Sequence, residues 1–216
     1  MYSLAVHTEK IFDKITLLPC IKDYTLVGGT ALSLQIKARL SEDLDFMKWR
    51  TSKNQKQEVD WVTIEKELKN IGKIQSVDIF DFNHVQFVIN DVKLSFYFSD
   101  KITPVSDPNH FKNNLILADL MAIAAMKMEV MLRRSNFRDY YDIYSLLKHG
   151  IDFRETVALA LSYSNHILST KNLLAILSDG SRFNIDSNFQ QLKPVYKVLV
   201  SDIEEFIKDI IRTSFK

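Results

Sequence analysis

Val27-Gly28-Gly29-Thr30 and Ser41-Glu42-Asp43-Leu44-Asp45-Phe46 are the two stretches of sequence that decide the fold. The glycines follow a short apolar run at residues 24–27 and precede a helical pattern at residues 31–36. This order predicts a turn between a strand and a helix. Backbone N–H groups at such a turn, with the positive end of the helix dipole, can receive an anion, and a glycine lets a phosphate group approach closely.

Two acidic residues in the second stretch, Asp43 and Asp45, alternate with Leu44 and Phe46. Residues two apart on a strand face the same side, so both carboxylates are predicted to face one way while the apolar side chains enter a core. Neighbouring like charges repel unless a cation separates them, and carboxylates that hold Mg²⁺ against substrate phosphates are common in phosphoryl transfer. The pattern therefore predicts Mg²⁺ at this strand, and the alternative is an edge strand whose acids discourage aggregation.

Size and composition are those of an ordinary globular protein. The 216 residues are 46% hydrophobic and 25% charged, and the net charge is +1, which excludes a global basic field that would attract nucleic acid. Cys20 is the single cysteine, so an internal disulfide is excluded. No signal peptide and no membrane-spanning window are found in the sequence. These features lead us to expect a cytoplasmic protein that does not interact with a membrane.

Hydrophobic periodicity divides the chain into a mixed first half and a helical second half. We predict helices over residues 4–18, 30–37 and 60–71, a strand over residues 43–49, and strands within residues 74–98 joined by a hairpin turn at Asn90-Asp91. Further helices are predicted over residues 115–134, 139–148, 153–164, 170–177 and 188–212. The fold class is therefore α+β, with a mixed β-sheet and helices in a domain of residues 1–112, followed by a helical bundle domain of residues 113–216.

Two separated blocks of sequence carry a family resemblance. The first is Gly28-Gly29-Thr30-Ala31-Leu32 with the acidic stretch at residues 41–46, and the second comprises Met126-Lys127-Met128, Arg133-Arg134-Ser135 and Arg138-Asp139-Tyr140-Tyr141-Asp142. Together these blocks resemble the AbiEii-like family of nucleotidyltransferases, the toxin components of type IV toxin–antitoxin and abortive-infection systems. The resemblance covers residues 24–147 in discrete blocks.

The resemblance implies an activity and roles for named residues. The activity is metal-dependent transfer of a nucleoside monophosphate from an NTP to an acceptor, tRNA or another macromolecule such as a protein, and the implied partner is a cognate antitoxin protein. The implied roles are phosphate binding by Gly28, Gly29, Thr30 and Ser41, Mg²⁺ binding by Asp43 and Asp45, charge stabilisation on the leaving pyrophosphate by Lys127 with Arg133 or Arg134, and catalytic orientation by Asp139.

Each of these roles has a simpler structural alternative. Ser41 can cap a turn, and Lys127 can extend to the surface instead of facing a pocket. Arg133 and Arg134 suit the negative end of a helix dipole. Asp139 can be a helix N-cap, and Arg138 can pair with Asp142 along a helix. The cluster of Tyr140, Tyr141 and Tyr144 is predicted to be core rather than a base-stacking platform.

One position departs from the nucleotidyltransferase pattern. These proteins usually have a third carboxylate on a later strand, and the matching residue here is Ser95. Either two acids and water suffice, or Asp78, Asp81 or Asp91 replaces the missing acid. Alternatively, the protein is a catalytically impaired nucleotide-binding module with a regulatory or interaction role.

Overall fold

The computed structural model describes residues 3–164, 167–184 and 186–215 of the chain. The chain divides into two compact units. The first contains the residues up to Leu34 and Leu40–Asp119, and the second contains Gln35–Arg39 and the residues from Leu120 onward. These units differ from the expected ranges 1–112 and 113–216 in two places, and the division into two domains stays a prediction. Among the described residues, no helix is both long enough and apolar enough to cross a bilayer.

The first unit is built on one mixed β-sheet. Within the described residues its strands are β1 (Thr25–Val27), β2 (Leu44–Trp49), β3 (Ile74–Asp81), β4 (His84–Ile89), β5 (Val92–Ser99), β6 (Asn109–Lys112) and β7 (Leu115–Leu117). They form a seven-stranded sheet in the order β3-β4-β5-β2-β1-β7-β6. β2 runs parallel to β5 and β1 parallel to β7, whereas the other neighbours are antiparallel. The strand that carries Asp45 is therefore central.

Three helices accompany these strands in the sequence: α1 (Val6–Thr16), α2 (Gly28–Ile36) and α3 (Trp61–Leu68). Apolar side chains alternate into one face of the sheet, and the ring of Phe46 stacks on Phe96 with the ring centroids 5.0 Å apart. Leu44 is buried beside them. Because residues alternate between faces, this packing directs Asp45 to the opposite face.

The predicted turn at Asn90-Asp91 is confirmed. The two residues join β4 to β5 and have φ angles of 49° and 63°. A two-residue hairpin turn with both φ angles positive matches the right-handed twist of the flanking strands, and asparagine and aspartate tolerate that backbone better than other residues with a side chain.

The second unit contains the helices α4 (Leu120–Val130), α5 (Phe137–His149), α6 (Phe153–Tyr163), α7 (Thr170–Leu177) and α8 (Val200–Ser214). The carboxylate of Asp152 caps α6 by accepting a hydrogen bond of 2.8 Å from the N–H group of Glu155. Gly150 ends α5 in the left-handed conformation, with φ of +99°. Both helix boundaries agree with the sequence pattern.

Aromatic side chains of α5 form the core of this unit. Tyr140 and Tyr141 are fully buried, and the ring of Tyr140 stacks on Phe183 with centroids 4.1 Å apart. The hydroxyl group of Tyr141 donates a hydrogen bond of 3.0 Å to the carbonyl oxygen of Ala38 and accepts one from the N–H group of Tyr196. The prediction that the tyrosine cluster is core is confirmed.

Two predicted helices are wrong in their extent. Residues 115–117 are strand β7, which pairs in parallel with β1, and the helix α4 begins only at Leu120. An apolar run this short has no periodicity that distinguishes a strand from a buried helix. The last helix begins at Val200 rather than near residue 188, because Lys193 adopts a left-handed conformation and Pro194 follows it.

Candidate active site

The glycine turn lies against the carboxylate of Asp45. Helix α2 begins at Gly28 directly after β1, and Val27 at the end of β1 is paired with Asp45 on β2. Gly28 has a φ angle of +70°, and a Cβ added there would lie 3.0 Å from Oδ2 of Asp45. Glycine is thus required both by the backbone conformation and by the close approach of the carboxylate.

Asp43 and Asp45 keep partial access to solvent, whereas Leu44 and Phe46 are buried, as the alternation predicts. The ammonium group of Lys93 on β5 lies 2.7 Å from Oδ2 of Asp43. A cation therefore already compensates the charge of one carboxylate in this structure.

Thr30 and Ser41 hold the loop that carries Asp43. Both residues are buried, and their hydroxyl oxygens lie 2.8 Å apart. The hydroxyl group of Thr30 also donates a hydrogen bond to the carbonyl oxygen of Asp43. These side chains are engaged within the protein, so a phosphate group at this turn would be received by backbone N–H groups rather than by the two hydroxyl groups.

Ser95 occupies the position beside Asp45 on the neighbouring strand. The two residues are paired in the parallel register of β2 and β5. The hydroxyl oxygen of Ser95 lies 3.3 Å from Nε2 of His84 on β4. Burial lowers the pKa of His84, which favours the neutral imidazole.

Of the acids considered as replacements for a third carboxylate, two lie far from β2. Asp78 and Asp81 are on the edge strand β3, which is three strand spacings from β2, or roughly 14 Å. The carboxylate of Asp91 accepts a hydrogen bond of 2.7 Å from the amide of Gln75. The substitution hypothesis is therefore wrong for Asp78 and Asp81, because a single ion cannot span that distance.

In the second unit, Lys127 is buried between two carboxylates. Its ammonium group lies 3.0 Å from Oδ1 of Asp139 and 2.7 Å from Oδ2 of Asp142. Arg39 makes a two-pronged contact with Asp142, with both N–O distances at 2.8 Å. Arg134 contacts Asp139 in the same manner, at 2.8 and 3.1 Å. These five side chains, Arg39, Lys127, Arg134, Asp139 and Asp142, form what we call the ion network.

The pKa values in the ion network favour the charged forms. Burial alone would lower the pKa of Lys127, but the charges of Asp142 and Asp139 outweigh it and raise that pKa. Burial likewise opposes ionisation of Asp142, yet Arg39 and Lys127 hold the pKa of its carboxyl group below the usual range. The pKa of Asp139 is lowered in the same way by Lys127 and Arg134. Three cations and two anions leave one excess positive charge.

The geometry separates the structural alternatives for these residues. Asn136, not Asp139, is the N-cap of α5, because its side chain accepts a hydrogen bond of 2.8 Å from the N–H group of Arg138. The proposed pairing of Arg138 with Asp142 is wrong, since Arg138 contacts Asp186. Lys127 is buried and does not extend to the surface.

Arg133 and Arg134 are distinguished by their partners. Arg133 lies outside the ion network and pairs with Glu129, one helical turn earlier, at 2.7 Å. The side chain of Arg134 is 62% exposed even though its guanidinium group contacts Asp139. Of these two arginines, only Arg134 therefore links the ion network to solvent.

Sequence reasoning missed the role of Arg39 and underrated Asp142. Arg39 is separated from Asp142 by 103 residues, and no local pattern connects them. The available signal was the spacing of Asp139 and Asp142, since residues three apart lie on the same face of a helix.

A central strand whose carboxylates lie beside a glycine turn, in a mixed sheet of this kind, defines a nucleotidyltransferase-like protein. A family model described as "Nucleotidyl transferase AbiEii toxin, Type IV TA system" matches residues 12–209. The chain belongs to this family of nucleotidyltransferase toxins of toxin–antitoxin systems.

Individual relatives extend over nearly the whole chain. An uncharacterized protein of Aquifex aeolicus (strain VF5) is 25% identical over 217 residues, which cover 96% of each protein. The crystal structure of JHP933 from Helicobacter pylori matches with a TM-score of 0.55 and 18% identity, over 99% of this chain and 97% of that one. The nucleotidyltransferase toxin MenT4 of Mycobacterium tuberculosis H37Rv matches with a TM-score of 0.58 and 15% identity, over 95% and 84%. At these identities the two structures show a shared fold.

Proposed function

We propose that this protein transfers a nucleoside monophosphate from an NTP to an acceptor and releases pyrophosphate. The observation that supports this most directly is the approach of Gly28 to Asp45, where a Cβ would lie 3.0 Å from the carboxylate oxygen. A phosphate group received by this turn would lie close to a carboxylate, and two anions at that distance require a cation between them.

The residues at this position fit a divalent metal ion that arrives with the nucleotide. Within the described parts of the chain, no group of three or more histidine, cysteine, aspartate and glutamate side chains is arranged to hold a metal. Mg²⁺ is commonly held by one or two carboxylates with substrate phosphates and water as further ligands, and Asp43 and Asp45 supply two carboxylates. When bound, the ion would neutralise the triphosphate and activate the acceptor oxygen.

The chain's own groups then have separate tasks. The backbone at Gly28, Gly29 and Thr30 binds phosphate oxygens, while the hydroxyl groups of Thr30 and Ser41 position the Asp43 loop. In the transfer step, a bond forms between the acceptor oxygen and the α-phosphorus, and the bond from that phosphorus to the bridging oxygen breaks. Pyrophosphate leaves with the electron pair, and the hydroxyl proton of the acceptor passes to water.

The proposal includes basic residues of the second unit, which we expect to form a helical bundle. Lys127 and Arg134, or Arg133, stabilise the charge that develops on the leaving pyrophosphate, and Asp139 orients them. The contacts of Asp139 with Lys127 and Arg134 support an orienting role for Asp139. The exposure of Arg134, together with its contact to Asp139, favours Arg134 over Arg133 as the arginine that stabilises this charge.

Membership of a toxin family supports the wider proposal. We infer that the activity is toxic, that a cognate antitoxin protein opposes it, and that the acceptor is a macromolecule, either an RNA such as tRNA or a protein. A role in abortive infection follows from the same inference.

The second candidate is a nucleotide-binding module that has lost efficient transfer. The pairing of Ser95 with Asp45 favours it, because a serine hydroxyl binds Mg²⁺ much more weakly than a carboxylate does. This candidate predicts metal-dependent NTP binding without turnover for any acceptor.

Transfer of label separates the two candidates. Each α-labelled NTP is incubated with Mg²⁺ and with total cellular RNA or protein, using the wild type, Asp43→Asn, Asp45→Asn and the matched surface variant Asp13→Asn. The proposal predicts label on one acceptor class, lost in both active-site variants and retained in Asp13→Asn. Transfer that persists without Asp45, or NTP binding with no transfer by the wild type, would overturn it.

A further inference from the structure

A cavity of about 380 Å³ opens in the first unit, outside the residues assigned above. It is lined by His7, Lys10, Ile11, Lys73, Gln75, Asn90 and Asp91. The volume falls within the range of small-molecule sites, but the lining is polar and basic rather than apolar. Its chemistry therefore suits an anion with several hydrogen-bond acceptors.

The charge of this cavity is not neutralised by its own walls. Lys10 and Lys73 are exposed, and the side chain of neither makes an ion pair or hydrogen bond within the described part of the chain. The one acid, Asp91, is engaged with Gln75 through two hydrogen bonds of 2.7 Å. Two ammonium groups and the imidazole of His7 are consequently available to a ligand, and phosphate oxygens are the acceptors that lysines bind as point charges.

Two residues that lie close in sequence to the cavity lining contact Glu42 and Asp43. Thr8, next to His7, donates a hydrogen bond to the carbonyl oxygen of Glu42, which precedes Asp43. Lys93, two residues after Asp91, lies 2.7 Å from the carboxylate of Asp43. Each of these two contacts is therefore made by a residue that is one or two residues of chain, or roughly 7 Å of backbone at most, from a residue lining the cavity.

The glycine turn and the part of the cavity formed by Asn90 and Asp91 lie on opposite sides of strand β2 in the sheet. The turn follows β1, which neighbours β2 on one side, whereas Asn90 and Asp91 precede β5, which neighbours it on the other. In phosphoryl transfer the attacking oxygen and the leaving group are roughly in line on opposite sides of the phosphorus. If the turn binds the NTP phosphates, the cavity lies on the side from which the acceptor attacks.

We propose that this cavity binds a backbone phosphate of a polynucleotide acceptor strand, next to the hydroxyl group that receives the nucleotide. The inference rests on the proposed transfer activity and specifies its acceptor. A terminal hydroxyl group and the nearest backbone phosphate of a strand are one nucleotide apart, which matches the short separation between the cavity and Asp43. A protein side chain would carry no phosphate at that position.

The test measures strand binding without NTP or metal, so that it does not depend on turnover. A fluorescein-labelled single-stranded RNA of twelve nucleotides, and a DNA of the same sequence, are titrated by anisotropy at several salt concentrations. The cavity variant carries both Lys10→Ala and Lys73→Ala. The control carries both Lys14→Ala and Lys66→Ala, which removes the same charge from exposed lysines outside the cavity. Lys10→Arg with Lys73→Arg is the conservative variant.

We expect the cavity variant to bind at least one of the two strands roughly tenfold more weakly, with the slope of log K against log salt reduced by about 1.4 because two contacts are lost. The control and the arginine variant should bind as the wild type does. In transfer assays the cavity variant should raise KM for the strand and leave KM for the NTP unchanged.

Three results of the binding and kinetic measurements would overturn the proposal: no strand binding by the wild type, equal strand binding by the cavity variant, or a KM that is raised for the NTP alone. The last result would assign the cavity to the triphosphate. Transfer to protein alone would also contradict it. Failure of the proposed function is recognised separately, because it appears as a wild type that transfers no label, or as label that persists in Asp45→Asn, whatever the result of the strand-binding measurement.

Discussion

Asp142 has no exposed surface, and its carboxylate receives hydrogen bonds from Arg39 and Lys127. Removing it leaves both cations buried without this partner, and the cost of breaking such a pair is about 3–5 kcal/mol. We therefore expect Asp142→Ala to lower the free energy of unfolding in urea by this amount. Arg133→Ala, which removes an exposed pair with Glu129, should cost less than about 1 kcal/mol. Equal effects of the two changes would contradict the account of the ion network.

If Asp43 is a metal ligand as proposed, Lys93 competes with the metal ion for its carboxylate. Its ammonium group lies 2.7 Å from the carboxylate, and both side chains are partly exposed, so the pair is worth about 1 kcal/mol or less. We expect Lys93→Met to strengthen Mn²⁺ binding about fivefold in the absence of nucleotide, because the carboxylate is released. Electron paramagnetic resonance of free Mn²⁺ measures this affinity. Unchanged or weaker Mn²⁺ binding by the variant would contradict the assignment of Asp43 as a metal ligand.

For individual residues, the sequence predicted the features that depend on the spacing of near neighbours, namely burial along a strand and the conformation of a turn. The alternation of residues 43–46 predicted which side chains are buried, and the positive φ of Gly28 follows from its position at a turn. The partnership of Arg39 with Asp142 was not predictable, because it depends on how segments 103 residues apart pack together. The hydrogen bonds of Thr30 and Ser41 were missed for the same reason, since burial decides whether a hydroxyl group faces a ligand or the protein.

Helix α5 carries both acids of the ion network, and its start is fixed by one side chain. Asn136 caps the helix by accepting a hydrogen bond of 2.8 Å from the N–H group of Arg138. Asn136→Ala should lower the free energy of unfolding by about 1 kcal/mol, whereas Asn136→Asp should retain most of the stabilisation that the cap provides. Chemical denaturation of the three proteins measures the difference. An alanine variant as stable as the wild type would mean that the cap contributes nothing.

Helices and strands with strong hydrophobic periodicity, and turns with characteristic residues, were predictable from the sequence. Strands β6 and β7, which are only four and three residues long, were not. The hairpin at Asn90-Asp91 and the end of α5 at Gly150 were both read from residues that favour positive φ. Strand β7 was predicted as helix because three apolar residues next to an apolar helix carry no distinguishing period. Strand β6 is exposed along its whole length, and with Phe111 as its single apolar residue it has no alternation that would predict a strand.

On the scale of the whole molecule, the ion network makes stability depend on pH. The pKa values of Asp139 and Asp142 are lowered in the folded protein, so the folded state binds fewer protons than the unfolded state near pH 4. Their contribution is therefore present above the unfolded pKa of about 3.9 and is lost as pH falls through the lower folded values. We expect the urea midpoint to fall steeply below about pH 4, and less steeply in Asp142→Asn. A midpoint with the same acid dependence in both proteins would contradict this.

The division of the chain also belongs to this scale. Residues 35–39 belong to the second unit although their neighbours in sequence belong to the first. The hydrogen bond from Tyr141 to Ala38 and the contact of Arg39 with Asp142 hold that segment. Hydrophobic periodicity does not distinguish this segment from its neighbours in sequence, so the prediction, which rested on periodicity, placed a single boundary between residues 112 and 113.

The central claim is that the glycine turn and Asp45 form one site for nucleotide transfer, and one comparison of two glycine variants tests it most directly. Gly28→Ala introduces a Cβ 3.0 Å from the carboxylate of Asp45, whereas Gly150→Ala carries similar backbone strain with nothing within 4 Å. The measurement is single-turnover transfer from an α-labelled NTP by the folded variants. We expect Gly28→Ala to transfer at least about a hundredfold more slowly than the wild type, because displacement of a positioned group by about 1 Å has that effect. Gly150→Ala should transfer at the wild-type rate. Equal rates for the two variants would contradict the claim.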